Sequence, residues 1–222
     1  MKNYLVLIPA RANSQRLPGK NMKMLGDLPL IGHSINYACK AGFEDITVTT
    51  NDFEVVAYVK SKDVNVIHRP DELAGNQEPV ITAIQHALES MFKKFDAVIL
   101  LQPTNPLRPA TLLKEAIQIF EQENCESLMT VSQNAHKLGT IKDNVFEPYN
   151  YTMGQRSQDL EPLYYENGLL YIFKTELVKK GKLLGEKNFP LVVEHPFAEI
   201  DIDTKADFRK AEMYLNFYKD NY

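Results

Sequence analysis

Short apolar runs recurring between amphipathic stretches constrain this chain more than any other feature. Leu5 to Ile8, Ile46 to Thr50 and Ala97 to Leu101 are apolar or β-branched, Val64 to His68 alternates, and each is only four or five residues long. Runs of that length read as strands, and the continuous ones as strands buried on both faces. Between them lie helical patterns. Ile31 to Lys40 stops before Gly42, Asn51-Asp52 caps a helix to about Lys62, and Val80, Ile81, Ile84, Ala87, Leu88 and Met91 share one face. After the fourth run, Gln102 to Pro109 carries three prolines, which forbid helix and ladder alike, before Leu112, Leu113, Ala116, Ile117 and Phe120 resume a helical stripe. Strands alternating with helices over short connections predict a doubly wound α/β domain, with a mostly parallel sheet covered on both faces. Periodicity weakens at about 132–165, which predicts an inserted, protruding arm within a single domain spanning 1–222. Leu169 to Phe173 and Leu191 to Glu194 return to strand character, and a last helix is expected over about Lys205 to Tyr218.

Bulk composition narrows the function classes. The 222 residues hold 29 acidic and 25 basic side chains, a net charge of −4 that argues against general nucleic-acid binding. Two cysteines, Cys39 and Cys125, provide no disulfide framework. The first apolar run is cut short by Pro9, too brief for a signal peptide, and no stretch approaches the roughly 20 residues of a membrane span. The expectation is a cytoplasmic protein without membrane partners.

The first strand runs into a cationic loop carrying Arg11, Ser14, Arg16, Gly19, Lys20 and Asn21. Ligands of open α/β sheets bind at the carboxyl ends of the strands, where this loop opens. Three cations on one short loop repel each other unless an anion sits among them, and a polyphosphate suits them. The segment is not a Walker-type P-loop, because Ser14 replaces its first glycine and Asn21 its Mg²⁺-binding hydroxyl.

Near the other end, Glu199-Ile200-Asp201-Ile202-Asp203 alternates acid with isoleucine, so in extended chain Asp201 and Asp203 share a face. Adjacent carboxylates invite a cation, and Mg²⁺ is held by one or two carboxylates plus substrate phosphates. Thr204 and Asp207 also have capping-box spacing, so Asp203 equally suits the lead into the final helix. The loop after the fourth strand is stiffened by proline and presents Gln102 and Thr104, whose polar groups suit sugar hydroxyls; Arg108 reads either as a ligand contact or as a surface ion-pair partner. Arg156 suits a substrate carboxylate or a salt bridge to Asp159, and Asn167-Gly168 reads as a turn. The five histidines show neither metal-ligand spacing nor a nucleophile partner.

Ile8 to Arg11, Arg16 to Asn21, Leu101 to Arg108, Glu166-Asn167-Gly168 and Asp201-Ile202-Asp203 together resemble the acylneuraminate cytidylyltransferases, in family order and nearly end to end. The resemblance implies a Rossmann-like nucleotidyltransferase fold with a dimerisation arm, working as a homodimer with Mg²⁺. Its expected reaction transfers CMP from CTP to the anomeric hydroxyl of a nine-carbon 2-keto sugar acid, sialic, legionaminic or pseudaminic, and releases pyrophosphate. By that resemblance Arg11, Ser14, Lys20, Asn21 and Arg69 hold the nucleotide, and Asp201 and Asp203 the metal. Arg11 and Lys20 also take catalytic roles with the two aspartates, while Gln102, Thr104, Arg156, Gln158 and Asn167 bind the sugar, the arm residues acting in the partner subunit. The chain departs from the family pattern at Glu78, Pro79 and Val80. The alternatives are a guanylyl- or other nucleotidyltransferase acting on a sugar 1-phosphate, and a non-catalytic nucleotide-sugar binding protein.

Overall fold

The computed structural model describes residues 2–12 and 14–218. Its first strand, β1 (Tyr4–Pro9), is buried on both faces: Val6 and Ile8 pack into one apolar cluster, Leu5 and Leu7 into another. A small hairpin of β2 (Met24–Leu25) and β3 (Leu28–Pro29) precedes α1 (Leu30–Lys40), β4 (Ile46–Thr50), α2 (Phe53–Lys60) and β5 (Asn65–His68). The α2 start is fixed by Asp52, whose carboxylate accepts from the N–H groups of Glu54 and Val55. Then come α3 (Val80–Glu89), β6 (Ala97–Leu100), α4 (Leu112–Gln122), β7 (Ser127–Asn134), β8 (Gly139–Lys142) and β9 (Val145–Pro148). The chain closes with β10 (Leu163–Lys174), α5 (Thr175–Lys179), β11 (Asn188–Val192) and α6 (Lys205–Phe217).

Seven strands form one sheet in the order β11-β7-β10-β6-β1-β4-β5. All neighbours are parallel except β10, which runs antiparallel to both β6 and β7. The reversal follows from the excursion between β7 and β10. Because Leu163 pairs with Asn134, the chain leaves and re-enters the sheet at the same edge and can only run back. Helices α1, α2 and α4 cover one face and α3 and α5 the other, which agrees with the doubly wound expectation.

Two details differ from the sequence reading. Strand β7 begins at Ser127, so the arm boundary expected at 132 falls inside a strand, and the excursion ends at Leu163 rather than 165. The sequence Ser-Leu-Met-Thr-Val-Ser-Gln-Asn carries no Gly or Pro to mark its start, and five of its eight residues are polar, so it blends into the segments around it. Within the excursion, β8 and β9 pair as an antiparallel hairpin whose eight residues are all exposed, Ile141 and Phe146 among them.

A third apolar cluster joins the two ends of the chain. Leu17 from the cationic loop and Leu107 from the proline-stiffened loop pack with Ile200, Ile202 and Ala211, with Phe208 and Leu215 of α6 against them. Burying Ile200 and Ile202 on one side leaves Asp201 and Asp203 on the other. No helix among the described residues is long and apolar enough to cross a membrane.

Candidate active site

The loop after β1 is tied down by polar contacts to its backbone. The Ala12 N–H donates to Asn51 Oδ1 (2.8 Å), and Asn21 Nδ2 donates to the Arg11 carbonyl (2.9 Å). Gly19 has φ +64°, in the left-handed region that glycine enters without strain, and turns the chain into a single 3-10 turn beginning at Lys20. Arg11 Nη1 donates to the Gly75 carbonyl (2.7 Å), linking this loop to the segment between β5 and α3. Lys20 Nζ donates to the Ile202 carbonyl (3.2 Å) and to Asp203 Oδ1 (2.8 Å), and Arg16 pairs with the other oxygen of Asp203. The first loop and the last acids therefore meet.

The loop after β6 sets the position of those acids. The Ile202 N–H donates to the Thr104 carbonyl (2.8 Å), while buried Asn105 donates through Nδ2 to the carbonyls of Asn167 and Ile200. Gly168 lies against Asn105 with φ +75°, and a Cβ there would come within 2.7 Å of the amide oxygen. Gly168→Ala is accordingly expected to cost about 2 kcal/mol or more, from left-handed backbone strain plus displacement of Asn105, read as a lower urea midpoint.

These elements enclose a cleft of about 320 Å³ at the carboxyl edge of the sheet, lined by Arg11, Lys20, Asn21, Arg69, Glu78, Gln102, Thr104, Asp201 and Asp203, among others. A second cleft of about 1000 Å³ adjoins it and shares Gln102 and Asp201; Asn134, His136, Tyr165, Glu166, Asn167 and Lys210 contribute to its walls. Asp201 lies where they meet. Its carboxyl is raised above the ordinary range, first by desolvation between the cleft walls and then by the Asp203 charge, against a hydrogen bond from Thr104. Such a group costs stability when ionised, and an approaching cation relieves that cost. Arg69, only 5% exposed, donates from Nη2 to the Thr49 carbonyl (2.6 Å) and stays cationic at neutral pH, although burial and the neighbouring Arg11 lower its pKa to about 10.

Among the residues expected at the nucleotide, Arg11, Lys20, Asn21 and Arg69 line the first cleft, and Ser14 lines neither. Of those expected at the sugar, Gln102 borders both clefts, Thr104 the first and Asn167 the second. The Asn167 amide is itself engaged, accepting from the Leu169 N–H and donating to Ser132 Oγ. Arg156 and Gln158 line neither cleft; exposed Arg156 makes a forked pair with Asp159 (2.7 and 3.0 Å). Asp203 faces the cleft and also leads into α6, whose Thr204/Asp207 capping box starts beside it.

Arg108 is buried rather than set at the surface or in either cleft. It is 1% exposed, donates to the carbonyls of Leu169 (2.6 Å) and Gln102 (2.8 Å) and to Ser34 Oγ (3.1 Å), and lies 5.6 Å over the Tyr37 ring. Sequence reasoning also passed over Asn105, because an Asn between prolines carries no periodic signal. The second cleft's Glu199 and Lys210 were missed too; Lys210 and, beside it on α6, Tyr214 both donate to Glu199, and their helical i, i+4 spacing was the available sign.

The sequence matches the cytidylyltransferase family model over residues 5–220. The chain belongs to the cytidylyltransferase family. It is 31% identical to the CMP-N,N'-diacetyllegionaminic acid synthase of Legionella pneumophila, over 95% of each chain. It is 29% identical to the N-acylneuraminate cytidylyltransferase of Streptococcus agalactiae over 92% of its own length, and it spans about half the length of that relative. A solved CMP:2-keto-3-deoxy-manno-octonic acid synthetase complexed with CTP shares the fold, with a TM-score of 0.74, 17% identity and coverage of 97% and 99% of the two chains. The Rossmann-like nucleotidyltransferase fold is thus the fold of this chain.

Proposed function

We propose that the chain transfers CMP from CTP to the anomeric hydroxyl of a nine-carbon 2-keto sugar acid of the sialic or legionaminic type, with release of pyrophosphate. The observation that carries this reading is the convergence of Arg11 and Lys20 with Asp201 and Asp203 in one cleft, opening past Gln102 into a roomier one. The first suits a triphosphate and the second a sugar. Kinship with the legionaminic acid synthase, over nearly all of both chains, supports a sugar acid as acceptor.

In the reaction the acceptor oxygen forms a bond to the α-phosphorus while the bond from that phosphorus to the bridging oxygen of the β-phosphate breaks, and the hydroxyl proton leaves to solvent. Arg11 and Lys20 hold the phosphates and offset charge developing on the leaving pyrophosphate. Gln102, at the junction of the clefts, orients the acceptor, and fixing two reactants in register replaces effective concentrations of roughly 10⁵ M or more.

Asp201 and Asp203 are the residues that would hold Mg²⁺. Among the described residues no three acids, histidines or cysteines form a metal cage, but two carboxylates completed by substrate phosphates suit this ion. When bound, the ion supplies charge neutralisation at the phosphates. The exposed β8–β9 hairpin is proposed as a homodimer contact, bringing Arg156 and Gln158 to the sugar cleft of the partner; the reaction is placed in the cytoplasm.

A pyrophosphate-release assay over the four ribonucleoside triphosphates and a panel of 2-keto sugar acids tests the reading. Turnover with CTP and a nine-carbon acid is expected, and turnover only with a sugar 1-phosphate would overturn it. Asp201→Asn should abolish Mg²⁺-dependent turnover while raising resistance to urea at neutral pH. The sign follows from the raised carboxyl: its contribution to stability is present when protonated and lost as pH rises through its folded pKa, so the neutral amide gains at neutral pH and nothing in acid.

A further inference from the structure

We propose that Glu78 selects the nucleobase, its carboxylate accepting a hydrogen bond from the exocyclic amino group of cytosine and turning away uracil. The inference rests on the nucleotide reading of the first cleft. Three acids line that cleft, and two of them, Asp201 and Asp203, sit on the β6 side, where Ile202 is bonded to the Thr104 loop. Glu78 comes from the opposite side, between β5 at the sheet edge and α3. The β1 loop with Arg11 and Lys20 stands between the two sides, because β1 lies between β6 and the β4-β5 pair.

Glu78 differs from Arg11, Lys20, Arg69 and Asp203 in this cleft. Arg11 bonds Gly75, Lys20 bonds Asp203 and Arg69 bonds Thr49, whereas the Glu78 carboxylate has no hydrogen-bond or ion-pair partner among the described residues and is exposed to the cleft. A carboxylate with no cation paired to it is repelled by a triphosphate, so this one suits the uncharged part of the nucleotide. Its segment is held in place: the Glu78 N–H donates to the Gly75 carbonyl (3.3 Å), which also accepts from Arg11. Hence the loop that grips phosphate also sets the position of the acid. An ionised carboxylate only accepts hydrogen bonds. Cytosine presents an amino donor at C4, and uracil presents an oxygen there, a second acceptor that a carboxylate repels.

The test measures binding of CTP, UTP and 2′-deoxy-CTP by calorimetry with no acceptor present, for the unsubstituted chain, Glu78→Gln and Glu78→Ala. Glu72→Gln, at a residue lining neither cleft, controls for loss of a nearby charge. The unsubstituted chain is expected to prefer CTP over UTP by about tenfold or more. Glu78→Gln, whose amide can turn to donate as well as accept, should bring the ratio close to one by gaining UTP, and Glu78→Ala should do so by losing CTP. An unchanged CTP-to-UTP ratio overturns the proposal, whether or not thermal stability falls; so does a loss confined to ribose over deoxyribose preference, which would put the acid on the sugar hydroxyl. Base discrimination that depends on Glu78 in a chain turning over no sugar acid would sink the proposed reaction and leave this inference standing. Absence of CTP binding in the unsubstituted chain would sink both.

Discussion

Lys20→Met is expected to lower kcat/KM for CTP by about 100- to 1,000-fold while the chain stays folded. The amine is held between the Ile202 carbonyl and Asp203, and its side chain is only 14% exposed, so the charge is fixed before any ligand arrives. A cation preplaced where phosphate charge develops requires little reorganisation during reaction, which is why its removal should lower kcat as well as raise KM. The stability change should stay within about 1 kcal/mol, because Arg16 remains paired with Asp203 and partly exposed ion pairs contribute little. Steady-state kinetics beside urea unfolding would check both halves. Near-normal kcat/KM would show that Lys20 only braces Asp203.

Arg108→Met is expected to have the largest effect on stability, about 3–5 kcal/mol, from the buried polar groups it leaves unpaired and the packing it loses. Methionine fills much of the volume but leaves the Leu169 carbonyl and the Ser34 hydroxyl without this donor and takes one of two donors from the Gln102 carbonyl, which keeps the Asn105 N–H; each unpaired buried group costs about 1–3 kcal/mol. Gln102 borders both clefts, so activity should fall at temperatures where the variant remains folded. Urea denaturation gives the first quantity, and kcat/KM for the acceptor well below the transition gives the second. A variant with an unshifted urea midpoint would contradict the role of Arg108 as the clamp of this loop.

Several strands and helix ends were legible because local chemistry fixes them. The strand Ile46 to Thr50 appears with those bounds, Asp52 caps α2, and Thr204 and Asp207 form their capping box. Strand β7 was not legible, since its recognition depends on pairing with β10 and β11, whose paired residues lie 29 to 61 positions later in the chain. Arg108 was misread for a related reason. Its burial brings it hydrogen-bond partners at sequence separations that include 6, 61 and 74, none of which leaves a mark next to Arg108 itself.

The amino-acid order alone determined the alternation of strand and helix, the cations after the first strand and the paired face of Asp201 and Asp203, because backbone period and turn chemistry act over a few residues. Only the tertiary structure decided that the two charged segments meet. Leu17, Leu107, Ile200 and Ile202 bury one another from three distant parts of the chain, and that shared apolar cluster brings Lys20 to 2.8 Å from Asp203. Hydrophobic contact of this kind is non-directional and leaves no pattern in any short window of sequence, yet it sets the distance on which the chemistry depends.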